Sequence, residues 1–474
     1  MAGRFLSLFG PLSRFLPEVS SPTRKVSFNE KLFWTALALI IYLVMGQIFL
    51  FNVRDLGTQV ETLRIIFASN QGTLTALGIG PIVTGGLILQ LLIGSSIVSA
   101  DLSNPDDRAL FTAAAKVFSI VLTGVQASAY LISGMYGTLD PISSIIIFAQ
   151  LLFAGVVLIL LDEMLQKGWG IGSGISLFIL AGVAQTIMWS SFSPFGPMDD
   201  GKQHGAFIAL GQTILNGEPL TNAFFRYDLK SGALTTLPSM LGFLTTIIVF
   251  VIVIYMEGVR VELPISHANY RGFRGKYPIK LLYVSNLPVI FASALFANVY
   301  VFAQLLQSQF PNNFWVNLLG TFGGEQGTTL NGGLAYYVTS PNGLGEVVAD
   351  PLRAVVFVGV MVTFAIIFSL TWLEVGGLGP STVAKQLVDS GMQIPGFRRS
   401  GRSIEMILKR YIPVVTILGG AIIGFIAAVA GFFGVFGTGM GVLLAVGILY
   451  QYYQLLVQEQ VAEMYPALGR VLGG

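Results

Sequence analysis

Residues 75–92 read TALGIGPIVTGGLILQLL, from Thr75 through Leu92. The run contains no acidic, basic or histidine side chain, and it belongs to a longer apolar stretch over about 73–99. About 20 apolar residues carry a helix across the hydrocarbon layer, so this stretch predicts a membrane span. Gly78-Ile79-Gly80-Pro81 interrupts it. Pro81 supplies no amide donor and the flanking glycines loosen the turn. Irregular backbone at membrane depth is tolerated where it is buried in protein or lines a cavity.

Outward from this stretch, nine more spans are predicted at 31–51, 110–134, 141–161, 171–191, 238–256, 281–307, 354–373, 411–434 and 437–458. The composition agrees. Of 474 residues, 54% are hydrophobic and only 11% charged, and the mean hydropathy is +0.75. A soluble protein carries roughly 25% charged residues. The chain is therefore a polytopic membrane protein, and disordered, collagenous and disulfide-rich classes are excluded by high apolar content and absent cysteine.

An even number of spans places both termini on one side. Of 26 basic residues, 20 fall in the N-terminal tail up to and including Lys31, the loops near 101–116, 162–170, 257–280 and 374–410, and the C-terminal tail. The positive-inside rule makes that side cytoplasmic. The loop holding Asp101, Asp106 and Asp107 is acidic, but acids weigh little in the rule. Residues 4–16 place Phe5, Leu8, Phe9, Leu12, Phe15 and Leu16 at helical spacing, which predicts a helix lying in the interface. Two external loops, about 192–237 and 308–350, read as irregular, with room for short helices.

The interior is notable for what it lacks. No ionisable residue lies in the middle of any span; Lys116, Asp162, Glu163, Arg353 and Glu374 fall near span ends. Proton pumps, voltage sensors and many ion-coupled carriers need such residues. His204 and His267 lie in loops on opposite sides, so no metal or triad assembles, and no cofactor is expected. Neither Gly201-Lys202 nor Gly275-Lys276 completes a phosphate loop. A second glycine cluster, Gly168, Gly170, Gly172 and Gly174, opens the fifth span. Ile79 and Val83 are four apart, as are Ile171 and Ile175, so each pair shares a helix face. Such pairs either pack ordinarily or form a narrow constriction that gates by dewetting. Thr84, Gln126, Gln185 and Asn298 need hydrogen-bond partners inside the bundle. The segment 60–70 is too short to span.

At these residues the sequence resembles the SecY family of protein-translocation channels, in its archaeal flavour. GIGPIVTGGLILQLL resembles the second-span signature, GWGIGSGISLFILAGVAQT (168–186) the fifth, GKYPIKLLYVSNLPVIFASALFAN (275–298) the sixth loop and seventh span, and GMQIPGFRRS (391–400) the eighth loop. The match runs over essentially the whole chain. It implies an all-α membrane protein with ten transmembrane helices in two pseudo-symmetric five-helix halves around an hourglass pore. The implied division is a cytoplasmic N-terminal segment 1–30, halves 31–237 and 238–462, and a tail 463–474.

The resemblance further implies a pore ring of Ile79, Val83, Ile171, Ile175, Ile290 and Leu444, and a lateral gate with Thr84, Gln126 and Asn298 as its polar cluster. The plug would hold Leu63, Ile65, Ile66 and Phe67. Arg271, Arg274, Arg398 and Arg399 would lie in ribosome-docking loops. Implied partners are small single-span gamma and beta subunits, the ribosome, signal sequences with their nascent polypeptides, and membrane lipid. The competing expectation is a small-solute secondary carrier that binds through its broken helices.

Overall fold

The computed structural model describes residues 16–53, 70, 72–94, 98, 105–132, 136, 139–229, 232–267, 274–284, 287–311, 313–323, 329–341, 343–390, 392–393 and 401–464. Among them, each predicted span finds one helix. These are α1 (Phe28–Met45), α2 (Gly80–Gly94), α3 (Pro105–Ile132), α4 (Pro141–Gln166), α5 (Gly174–Phe192), α8 (Met240–Gly258), α9 (Leu287–Gln309), α13 (Pro351–Val375), α15 (Gly401–Phe432) and α16 (Gly439–Met464). Nine are long and apolar enough to cross a membrane; α2, with 15 residues, is shorter.

Local chemistry sets several boundaries. Ser27 and Glu30 close a capping box at the start of α1, each side chain accepting the other's backbone N–H. The second span was expected over 73–99, yet helix begins only at Gly80. Residues 72–79 turn instead, with Gly78 at φ 53°, a backbone region that glycine enters without the Cβ penalty. Leu74 donates its N–H to the Ile48 carbonyl at 3.0 Å, folding this segment back on the end of α1.

The first five spans pack in series, α2 on α3, α3 on α4 and α4 on α5, with α1 against α4 and α5. In the second set α13 packs on α9 and α15, and α16 on α15 and α8. Small residues let these backbones approach: a Cβ at Gly424 would stand 2.9 Å from the Ala365 Cβ and 3.0 Å from the Val362 Cα. The two sets meet along two lines. On one, α2 and α3 face α9; on the other, α5 and α1 face α16.

Among the described residues the chain is mostly helical, with two small sheets beside the helices. β1 (Arg260–His267) continues from α8 and pairs antiparallel with β2 (Arg274–Lys280), in register from Arg260 opposite Lys280 to Ser266 opposite Arg274. β5 (Met392–Gln393) adds to the other edge of β1, giving the order β2-β1-β5. A satellite core of Leu263, Ile279, Leu373, Val383, Leu387, Ile404 and Leu408 ties this sheet to α14 (Pro380–Asp389) and α15. These strands escape a span-length hydropathy reading because β1 and β2 form a short local hairpin rich in charged residues, while β5 joins it from a loop more than a hundred residues away.

On the opposite end of the bundle the two long loops are folded, not irregular. The first carries α6 (Ala206–Leu215) and α7 (Thr221–Phe224). Its centre is Arg226, whose side chain is 1% exposed and forks onto both oxygens of Asp200. The same guanidinium donates to the carbonyls of Gln203, His204 and Pro238 at 2.8–3.0 Å. Lys202 reaches Glu218 at 2.7 Å and Thr213 at 2.9 Å beside it. The second loop holds α10 (Phe314–Leu319), a hairpin of β3 (Thr321–Gly323) and β4 (Thr329–Gly332), α11 (Leu334–Val338) and α12 (Gly343–Ala349). Arg353 anchors it by donating to the carbonyls of Tyr336 and Thr339 and to Glu346, with its guanidinium 4.2 Å from the Tyr336 ring centre.

Candidate pore ring and lateral seam

Ile79 stands in the turn just ahead of α2, and the Val83 N–H donates to its carbonyl at 3.0 Å, so the two side chains follow one another on one face. Ile171 lies three residues ahead of α5 and Ile175 is the second residue within it. Ile290 sits in the first turn of α9 and Leu444 in the second turn of α16. Ile79 and Leu444 are fully buried; Val83 and Ile171 are nearly so. Ile79, Val83 and Leu444 share one continuous apolar cluster, and the half-buried Ile175 and Ile290 pack against it. Ile171 is buried outside that cluster. At these six positions the ends of four helices carry only aliphatic side chains, which offer neither charge nor hydrogen bond.

The backbone around Ile171 and Ile175 is held by groups that the sequence reading did not single out for it. The Asp162 carboxylate, from the end of α4, accepts from Ser173 Oγ and from the Ile175 N–H, both at 3.1 Å, and from Gln166 Nε2 at 2.8 Å. It caps α5 from a neighbouring helix, where a negative charge complements the free N–H groups. Gly174 must be glycine for this, since a Cβ there would stand 2.7 Å from the Asp162 Cα. From the other side, Tyr452 of α16 donates to the Ser173 carbonyl at 2.8 Å. Thr35 Oγ1 of α1 accepts the Ile171 N–H at 3.0 Å. Three spans therefore converge on the start of the fifth. The one sequence signal was an acid near the end of an apolar helix with a glycine-rich helix start 11 residues later.

Along the line where α2 and α3 face α9, three polar side chains meet. Asn298 of α9 donates through Nδ2 to Thr84 Oγ1 of α2 at 3.1 Å, and its Oδ1 accepts from Gln126 Nε2 of α3 at 3.4 Å. Nδ2 also donates to the Ala294 carbonyl one turn earlier at 2.8 Å. One carboxamide thus ties three helices together. Gln185, which the sequence placed among the residues needing an interior partner, is instead exposed on α5. With Gln47 it edges an open, mainly apolar groove between α1 and α5 lined by Leu39, Leu43, Val44, Ala181 and Met188.

The sequence profile of the SecY family matches residues 73–453. The chain belongs to the SecY family. Solved structures agree over nearly the whole length. A protein-conducting channel is 39% identical, with a TM-score of 0.81, covering 96% of this chain and 98% of that one. A SecY structure concerned with the plug domain, which stabilises the closed state of that channel and maintains its membrane seal, is 39% identical at a TM-score of 0.78, with the same coverage. Sec61 in the canine ribosome-channel complex of the endoplasmic reticulum is 38% identical at 0.79, again covering 96% and 98%.

For this SecY-family chain the plug expectation (Leu63, Ile65, Ile66 and Phe67) lies outside the described residues, as do Arg271, Arg398, Arg399 and residues 4–15 of the expected surface helix. Arg274 opens β2. Among the described residues no group of three His, Asp or Glu side chains could hold a metal. His204 and His267 lie apart, in the Arg226-centred loop and at the end of β1.

Proposed function

We propose that this chain is the central pore-forming subunit of a protein-conducting channel, passing signal-bearing polypeptides across the membrane and releasing transmembrane segments sideways into lipid. The observation that carries the reading is the aliphatic cluster of Ile79, Val83, Ile175, Ile290 and Leu444 beside a seam tied by Thr84, Gln126 and Asn298. A conduit for unfolded chains must pass every kind of side chain. A lining of charges or hydrogen-bonding groups would trap some of them, whereas an aliphatic constriction holds none and is poorly wetted, limiting ion leakage. Ile171 is assigned to the same ring.

The seam between α2, α3 and α9 is the lateral gate. A signal sequence leaves through it because its own hydrophobicity favours lipid, and the three polar groups set the threshold for parting. Residues 60–70 form the plug. Arg271, Arg274, Arg398 and Arg399 present guanidinium groups to ribosomal RNA phosphates, which Arg engages bidentately; the ribosome-bound Sec61 relative supports this partner. Small single-span gamma and beta subunits complete the complex. The termini and the three-stranded sheet face the cytoplasm, in a cell membrane or its endoplasmic-reticulum counterpart, and the chain divides at about residue 237 into two halves. With no nucleotide site, a partner pushes or a trap pulls. The chain is a conduit and not an enzyme. A solute carrier is disfavoured because the polar groups beside the broken helices, Thr35, Asp162 and Tyr452, are engaged in holding the backbone, which leaves aliphatic surface where a solute needs polar contacts.

The test is photocrosslinking from a probe at Val83 or Asn298 to a ribosome-bound nascent chain. Crosslinks that require a functional signal sequence are expected. Their absence, in a folded complex with its small subunits, would overturn the reading.

A further inference from the structure

We propose that α10 is a membrane anchor, its Phe314, Trp315 and Leu318 edge seated among the headgroups and upper acyl chains of the leaflet opposite the three-stranded sheet. These three side chains are 72%, 74% and 57% exposed, while Val316, on the far side of the same short helix, is buried. From Ser308 to Gly320 the chain carries no charged residue. Asn313 caps the helix through its side chain, accepting the Trp315 N–H at 3.0 Å.

The depth of α10 follows from its closing residue. Gly320 lies against Ala303 of α9, so closely that a Cβ there would stand 2.9 Å from the Ala303 Cβ. Ala303 is six residues inside the end of α9 at Gln309, about 9 Å along the axis. It also precedes Leu305 and Leu306, the last residues of the apolar run. The chain therefore turns beyond the end of α9 and returns to the level of the hydrocarbon boundary. Phe322, just after Gly320, fixes the return: its ring meets Tyr300 edge-on with centroids 5.3 Å apart, and its N–H donates to Gln307 Oε1.

Lipid is the occupant because α10 continues a surface that already faces it. Phe302 and Leu306 on α9 and Phe310 just past its end recur every four residues, each exposed, and α10 follows a few residues further along the chain. An indole and a phenyl ring beside asparagine at this depth match the interfacial preference of aromatic side chains.

The chain has no cysteine, so Trp315→Cys and Leu318→Cys each create a single attachment point for a nitroxide label. The complex, with its small subunits, is placed in vesicles of phosphatidylcholine and phosphatidylglycerol. Collision of the label with oxygen and with a water-soluble nickel chelate is compared with that of Asn216→Cys, an exposed loop position on the same end of the bundle. A severalfold higher oxygen-to-nickel ratio at both α10 positions than at residue 216 is expected. A ratio equal to that at residue 216 would overturn the proposal, and so would protection from both reagents, which would mean that protein covers the helix.

Discussion

Asn298 offers its carboxamide in two directions at once, and no other residue on α9 ties two helices of the opposite half among the described side-chain hydrogen bonds. Each such bond contributes about 0.5–1.5 kcal/mol net. Losing both should therefore let Asn298→Ala shift the seam toward opening by roughly 5–150-fold, measured as passage of reporters with weakened signal sequences. Replacing Thr84, Gln126 and Asn298 together by leucine should do the opposite, because no polar group is then left unpaired in the closed seam. Equal behaviour of the two variants would refute the assigned role. His204 makes a second residue-scale prediction. Its Nδ1 is buried without a partner, and burial, with the positive charge of Arg226, lowers its pKa below the ordinary 6.5. Between that lower value and 6.5 the opened loop binds a proton that the folded loop does not. The loop between α5 and α8 should thus be most protected above pH 6.5 and lose protection as pH falls below it. Hydrogen exchange across residues 193–238 would read this out, and His204→Phe should flatten the dependence.

At the scale of elements, two buried arginines each organise one of the long loops at the same end of the bundle. Arg226→Met would leave the Asp200 carboxylate buried without its partner and strip donors from three carbonyls. Breaking a buried pair from one side costs about 3–5 kcal/mol, enough to open the loop while the spans stay folded. Rapid cleavage by added protease within residues 193–238, with the membrane-spanning helices intact, is the expected result. An uncut loop would mean that the clamp is dispensable. The loop's order was not legible in its sequence. Asp200 and Arg226 are 26 residues apart, and nothing in a stretch of Gly, Pro and Asn marks which acid will meet which base. The spans were legible because a 20-residue apolar run has one use in a chain this poor in charge. The broken start of α2 was legible too, since Gly78 and Pro81 each carry a backbone constraint in their own identity. Asp162 shows the boundary between the two cases. Its position near a span end could be read, but its service to α5 depends on how α4 and α5 pack.

For the whole molecule, the proposed function rests on a seal made where the two sets of spans meet. Replacing Ile79 or Ile171 by asparagine removes an apolar side chain whose burial contributes about 1.5–3 kcal/mol and puts a group in its place that water can follow. Conductance of the idle channel in planar bilayers should rise by roughly 10–100-fold, with signal-sequence stringency relaxed in parallel. Unchanged conductance across a series of such substitutions would remove the ring from the account. The ring also has a mechanical character that follows from its place along the helices. Ile79 and Ile171 precede their helices, Val83, Ile175 and Ile290 lie in first turns, and Leu444 lies in a second. The first N–H groups of a helix have no partner within it, and Ile171 and Ile175 donate theirs to Thr35 and Asp162 of neighbouring spans, so an outward push on these side chains is taken up first by contacts at the helix starts and only then by the helical ladders. In the proposed channel such a constriction would act as an elastic washer clamped by stiff rods, stretching around a bulky residue and shrinking around a small one without any part of the bundle having to melt.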